Sequence, residues 1–312
     1  MTAVPDSLTD DAFIDEFLQG TSRTFALAIP LLEPVRRRQV GLSYLLFRVA
    51  DSIEDAPETD ALTKKALLRS LKSCLGRDVT EAQNRLPSLG DQIPDLSGLW
   101  PVHSATGRLL IELPRLMDIF SQFPTSVVHA IRKALTSTAS GMIGFIDATA
   151  ESPNQIQIRT LSDLKLYCYA VAGIVGELLT DIFVFHHASG LTVHPDLRSL
   201  STGFGEFLQL INILKDTRVD AAGGRVFIPI EASRESVEDL ALQGRQDAMM
   251  YISILEKSDF PADVIVFCRF LFLLADRSLQ RLRDGGAGSK LTRQEVQQLL
   301  IDVRSEATVM PA

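Results

Sequence analysis

Tyr44-Leu-Leu-Phe-Arg48-Val-Ala-Asp51-Ser-Ile-Glu54-Asp55 is the stretch whose reading decides the fold. Its apolar residues recur at three- and four-residue spacings, the period of a helix. On that helix Tyr44, Arg48, Asp51 and Asp55 fall at i, i+4, i+7 and i+11, one continuous stripe emerging from Leu45, Leu46, Phe47 and Val49. Like charges four residues apart repel by a few tenths of a kcal/mol on an isolated helix. The stripe has two readings. It is a solvated helix end neutralised by Arg48, or a hard cation such as Mg²⁺ holds its carboxylates together with substrate phosphates.

A second stretch bears on that choice. In Phe207-Leu-Gln209-Leu-Ile-Asn212-Ile-Leu-Lys215-Asp216-Thr-Arg218-Val-Asp220, the residues Asn212, Asp216 and Asp220 share a face at i, i+4 and i+8. The turn Ala221-Ala222-Gly223-Gly224-Arg225 comes next, and Lys215, Arg218 and Arg225 supply the cations a diphosphate needs beside its metals. Two carboxylate stripes on separate apolar helices point to a metal–diphosphate site between facing helices. A third stretch, Leu166 to Leu179, is a long apolar helix with small residues at Ala172, Gly173 and Gly176. Glycine inside a helix costs about 1 kcal/mol relative to alanine. Two of them suggest close backbone approach, by another helix or by a ligand.

Outward from these stretches the patterns stay helical. Periodic segments run over Asp10–Gly20, Val35–Glu54 and Ala61–Leu75, then 103–122, 125–148, 161–188, 197–218, 235–256, 261–283 and 291–303. Pro124, Pro153, Pro195, Pro229 and Pro261 punctuate them. Gln83 to Pro101, with three prolines and two glycines, reads as a loop in which Trp100 carries no signal. The 312-residue length favours two domains, but no linker or composition shift divides the chain, so one all-α domain is expected. It would span 21–303, preceded by a segment at 1–20 and followed by a frayed tail at 304–312.

With 46% hydrophobic residues the chain can build a sizeable core, and a net charge of −8 argues against a nucleic-acid partner. Cys74, Cys168 and Cys268 show neither a disulfide framework nor zinc spacing, which fits a reducing cytosol. Histidines 103, 129, 186, 187 and 194 contain no i, i+4 pair. The acidic N-terminus is not a signal peptide. Val264 to Ala275, read as the most apolar stretch, is broken by Arg269 and falls short of the ~20 residues of a spanning helix. A cytoplasmic location without a transmembrane helix is expected, with peripheral membrane contact left open. Arg36-Arg37-Arg38 suits anionic lipid or a solvated face. Gly285-Gly-Ala-Gly-Ser289-Lys290 has the wrong order for a phosphate loop and reads as a turn between helices.

Taken in chain order, the motifs resemble the squalene/phytoene synthase family of head-to-head prenyl transferases over roughly residues 20–280. They are Thr21-Ser22-Arg23-Thr24-Phe25, the Tyr44–Asp55 stripe, Tyr167-Cys-Tyr-Ala-Val-Ala-Gly-Ile-Val-Gly176, the Gln209–Asp220 stripe and Gly-Gly-Arg225-Val-Phe-Ile-Pro229. The resemblance implies an isoprenoid synthase helical bundle around a central cavity, with Mg²⁺-bound diphosphates at its mouth. It implies Asp51, Asp55, Asn212, Asp216 and Asp220 as metal ligands. Ser22, Arg23, Tyr44, Arg48, Lys215 and Arg225 would hold diphosphate or shape its pocket, Tyr167 would handle a proton, and Phe25, Val175, Gly176, Leu179 and Gln209 would line the cavity. The implied reaction joins two farnesyl diphosphates through a cyclopropyl intermediate, presqualene diphosphate, to squalene with NADPH as reductant. Alternatives are a dehydrosqualene or phytoene synthase acting without reductant, an enzyme stopping at presqualene diphosphate, and a non-catalytic relative. Motif details lie nearer squalene synthases. Lys215 departs where arginine is frequent, and Leu271 where those enzymes tend to carry proline. No GxGxxG follows a strand to mark a nicotinamide site. An oily product leaving into lipid is the reason to expect membrane contact.

Overall fold

The computed structural model describes residues 9–22, 24–75, 94–148, 156–187, 194–286 and 288–309. Helix α1 (Asp10–Thr21) starts at Thr9, whose hydroxyl accepts from the Ala12 amide, and it buries Phe13, Ile14, Phe17 and Leu18. A short helix α2 (Phe25–Ala28) and a 3₁₀ turn (Ile29–Leu31) lead into α3 (Pro34–Glu54). Pro34 opens α3 where its missing N–H would have had no helical partner. Leu42, Leu45, Leu46, Val49, Ala50 and Ile53 place α3 at the centre of the core, all fully buried.

Then come α4 (Ala61–Leu75), α5 (Ala105–Ile111), α6 (Leu113–Ser121) and α7 (Thr125–Ala148). The single pattern over 103–122 is therefore two helices, because Pro114 in the first turn of α6 has no N–H with which to continue α5. Of the expected loop 83–101, residues 83–93 lie outside the described ones, and 94–101 carry no helix or strand.

Leu161–Phe185 is one helical run in three parts. α8 (Leu161–Cys168) begins at a capping box between Thr160 and Asp163. Tyr169–Gly173 form a π turn, and α9 (Ile174–Phe185) continues from it. A π turn frees backbone carbonyls from the ordinary helical pattern. Here the buried Thr138 hydroxyl of α7 donates to Ala170 O at 2.7 Å. The next helix, α10 (Leu197–Ala222), settles why the run needs small residues. A Cβ on Gly176 would stand 2.1 Å from Ser201 O, and one on Gly205 would stand 2.2 Å from Ala172 O. The two backbones nearly touch, so close helix packing accounts for Gly176, although this residue also borders the central cavity.

This run is long and apolar enough by composition to cross a membrane, which corrects the expectation built on Val264–Ala275. Within the bundle it stands between α7 and α10 and lines the cavity, so much of its apolar surface faces the fold's own interior.

Helices α11 (Arg234–Lys257), α12 (Ala262–Gly285) and α13 (Arg293–Val309) complete the bundle. α13 runs past residue 303, where fraying was expected, because Val303 is buried and Glu306 pairs with Arg269. Among the described residues the only strand pairing is parallel and two residues long, Ile156–Gln157 (β1) on Arg225–Val226 (β2). Arg36–Arg38 are only part-exposed, and each is engaged in an ion pair. Arg36 grips Asp263 with two bonds of 2.8 Å, Arg37 meets Asp15 and Arg38 meets Asp10, tying α3 to α12 and α1.

Substituting Gly205→Ala should force the π turn and α10 apart and lower stability by roughly 1–3 kcal/mol. A urea-unfolding midpoint equal to that of the unaltered protein would refute the near-contact of these backbones.

Candidate active site

The C-terminal halves of α3 and α10 bring the two acidic stripes to one place. They converge on the mouth of a cavity of about 550 Å³. Beside it a recess of about 240 Å³ is walled by Asp51, Glu54, Asp55, Asp216, Asp220 and Arg225. Asp51, Asn212 and Asp216 border both spaces. Arg225, set by the β1–β2 pairing, bridges the stripes: its guanidinium donates to Asp55 and, at 3.1 Å, to Asp220 Oδ1. Lys215 donates to Asn212 Oδ1 at 2.8 Å and lies 3.5 Å from Asp216. Lys290, from the turn after α12, donates to Asp216 Oδ1 at 2.7 Å. Arg218, grouped with these cations on sequence spacing, is exposed and borders neither space.

Gathering carboxylates in a buried place disfavours their charged forms. Asp51 is pushed up to about 7, by burial first and then by Asp55, with Arg48 opposing. Glu54 is pushed up to about 8 by burial and by the charges of Asp55 and Asp51. Asp220 is raised by burial while Arg225 pulls it down. Glu54 Oε1 is buried without a hydrogen-bond partner, as are the Nε atoms of Arg48 and Arg225. An all-oxygen set with an orphaned carboxylate oxygen suits a hard divalent cation. Guanidinium nitrogens lacking a protein acceptor suit phosphate oxygens. Among the described residues no three His, Cys, Asp or Glu side chains form a closed metal site by themselves. A cation here would span the recess and complete its shell from water and substrate.

The larger cavity is apolar beyond its mouth. Phe25 and Tyr44 lean together with ring centroids 5.2 Å apart. Ser22 Oγ accepts from the Phe25 amide at 2.9 Å, and the Tyr44 hydroxyl donates to Thr21 O at 3.2 Å. Val175, Gly176, Leu179 and Gln209 stand in its wall. Tyr167 faces the recess instead, its ring 5.2 Å from Phe145 and 4.9 Å from Phe227. Burial, then the charges of Glu54, Asp55 and Asp51, holds its hydroxyl well above the usual phenol range. Arg23 lies outside the described residues. Apart from Arg218, the other residues given a site role from the sequence border one or other of these two adjoining spaces.

Two side chains that sequence reasoning passed over hold the end of α3. The last carbonyls of a helix need donors from elsewhere. Lys64 of α4, itself buried, donates to Glu54 O at 2.7 Å, and Trp100 Nε1 donates to Ser52 O at 2.8 Å. No local pattern marks either residue, because each partner is distant in the chain. Lys290 was missed for the same reason.

A helical bundle whose two acidic stripes meet at the mouth of an apolar cavity is the all-α isoprenoid synthase fold. Residues 18–257 match the family model described as squalene/phytoene synthase, and the chain belongs to that family. Squalene synthase ERG9 of Candida albicans is 29% identical over 225 residues, covering 72% of this chain and 46% of that protein. Squalene synthase BSS of Botryococcus braunii is 30% identical over 237 residues, covering 74% and 46%. The chain thus spans about half the length of these curated relatives. A solved structure of TcSQS with the ligand E5700 aligns with a TM-score of 0.75 at 22% identity, over 97% of this chain and 92% of that one. A dehydrosqualene synthase in complex with ligand aligns at 0.64 and 21%, over 96% and 97%. These likenesses carry the fold.

The site's electrostatics lead to two expected outcomes. Asp51 and Glu54 bind protons more tightly folded than unfolded. The stability this contributes is complete below the ordinary carboxylate range and is lost as pH rises through about 7 and 8. The Tm of metal-free protein should therefore fall between about pH 5 and pH 8.5. Asp51→Asn should raise it at the alkaline end and flatten the profile, and calorimetry showing no slope would contradict the burial of these groups. Trp100 is the chain's one tryptophan and touches the carboxylate-bearing helix end. Its emission should change saturably with inorganic diphosphate plus Mg²⁺, and Asp51→Asn should abolish the change.

Proposed function

We propose that the protein is a Mg²⁺-dependent prenyl transferase. It would join two farnesyl diphosphates head to head through presqualene diphosphate and carry the product on to squalene with NADPH. The observation that carries this reading is the meeting of two acidic stripes, with unpartnered guanidinium nitrogens, at the mouth of an apolar cavity.

Asp51, Asp55, Asn212, Asp216 and Asp220 are the residues that would hold Mg²⁺, which when bound neutralises the diphosphates and stabilises the charge that develops as one departs. Arg48, Lys215 and Arg225, with Ser22 and Arg23, bind and orient diphosphate oxygens. Apolar walls including Val175, Gly176 and Leu179 keep water from the allylic cation, which water would quench. The tilted rings of Phe25 and Tyr44 offer π faces to a cation within roughly 6 Å. Tyr167 is assigned the proton lost on cyclopropane closure. Its phenol stays protonated, so it takes that proton only by passing its own to an adjacent anion.

NADPH rests on the family resemblance, and among the described residues no strand–turn–helix of the dinucleotide type frames a place for it. The competing reading is a reductant-free dehydrosqualene or phytoene synthase. It is favoured by Leu271, which lines the cavity where squalene synthases tend to carry proline. In either case an oily product must reach lipid, and peripheral membrane contact belongs to the proposal.

The test is purified protein with farnesyl diphosphate and Mg²⁺, with and without NADPH, read by gas chromatography–mass spectrometry. Squalene only in the tube with NADPH supports the leading reading. A more unsaturated thirty-carbon product in both tubes supports the competitor. Presqualene diphosphate alone marks an enzyme of the first half-reaction, and no product from an intact fold favours a non-catalytic relative. Asp216→Asn should cut any activity by roughly 10²-fold or more.

A further inference from the structure

The larger cavity has a direction that its lining helices define. On α10 its wall runs from Asp216 at the mouth to Ser201, 15 residues or about 22 Å of helix. On α3 it runs from Asp51 back to Val40. α12 follows the same chain direction as α3 and α10, inner end first: its first turn meets the start of α3 through Arg36–Asp263, while the turn after it reaches Asp216 through Lys290. Phe267 is therefore deep and Ser278 is near the mouth. Phe183 of α9 meets Phe267 edge to face at 6.0 Å, which puts the end of α9 at the same depth. The inner end is closed, since Val40, Phe183, Tyr251 and Phe267 are all 2% exposed or less.

Tyr251 of α11 differs from its apolar neighbours there. Its hydroxyl lies 2.9 Å from Thr180 Oγ1, and Thr180 donates to Gly176 O at 2.9 Å. With Thr180's proton so used, the Tyr251 hydroxyl donates across the gap between α11 and α9. The ring leans on Phe204, with centroids 5.8 Å apart. A phenylalanine would fill the space as well, but nothing would fix its angle. The hydrogen bond locks the ring as a wall at the blind end of a space whose mouth binds charge.

We infer that Tyr251, pinned by Thr180, is a specificity-determining residue that sets the longest prenyl chain the cavity accepts. The inference rests on the prenyl diphosphate reading above, and it is tested by binding, which needs no turnover. Non-hydrolysable thiodiphosphate analogues of the fifteen- and twenty-carbon substrates are titrated calorimetrically, with Mg²⁺, into the full chain and its variants. The unaltered protein should bind the shorter analogue at least about tenfold more tightly, a difference of about 1.4 kcal/mol. Tyr251→Ala, which opens the inner end, should erase or invert that ratio. Thr180→Val keeps the ring but removes its pin, and should move the ratio the same way by severalfold. If Tyr251→Ala fails to fold, Thr180→Val and Tyr251→Leu carry the test. An unchanged ratio in variants that still bind the shorter analogue overturns the inference. So does an unaltered protein that binds both lengths alike or neither. Normal length discrimination without product formation would sink the catalytic reading and leave this one standing.

Discussion

Asp51, Glu54, Asp55, Asp216 and Asp220 share a single recess, and the bundle has to hold this like charge in place without letting it scatter. A folded chain can tolerate such a cluster only if cations or protons offset it. Arg225 answers part of the demand by clasping Asp55 and Asp220 at once, and Lys215 and Lys290 answer another part at Asp216. What they leave unmet is visible in the protonated tendency of Asp51 and Glu54 and in the orphaned Glu54 oxygen. Stability is given up at the place where a bound divalent cation would restore it.

The backbone is arranged around the same demand. Lys64 and Trp100 take up the last carbonyls of α3, so the helix end bearing the carboxylates does not fray. The π turn at Tyr169–Gly173 comes directly after Tyr167 and Cys168, and the Tyr167 ring is held between Phe145 and Phe227 in the recess. Val171 within that turn borders both recess and cavity. The glycine contacts of α9 with α10 then bring that wall close to the helix carrying the second stripe. Charge at one end and tight apolar packing at the other make a compartment suited to gripping a diphosphate and keeping water from a carbocation.

Legibility in the sequence followed the range of the interaction. The helical periods, the two stripes and the family motifs are local, each contained in a dozen or so residues, and the helices that carry them are present. Helix ends were read less well. Pro114 splits one predicted helix, and α13 outruns its expected end because Val303 and Glu306 find partners on other helices. Arg36–Arg38 look like a free basic run until Asp263, Asp15 and Asp10 are brought to them by the fold.

From the sequence alone came the all-α class, the two carboxylate stripes and the residues able to meet a diphosphate. A helix repeats every 3.6 residues, so it writes its faces into the chain directly. Tertiary structure alone decided that the stripes face one recess and that Arg225 bridges them. It likewise decided that Lys64, Trp100 and Lys290 serve that recess, and that Tyr251 meets Thr180 across the inner end of the cavity. Those contacts join residues from 5 to 170 positions apart. Apart from the shortest, no local period encodes them, since they depend on how whole helices dock.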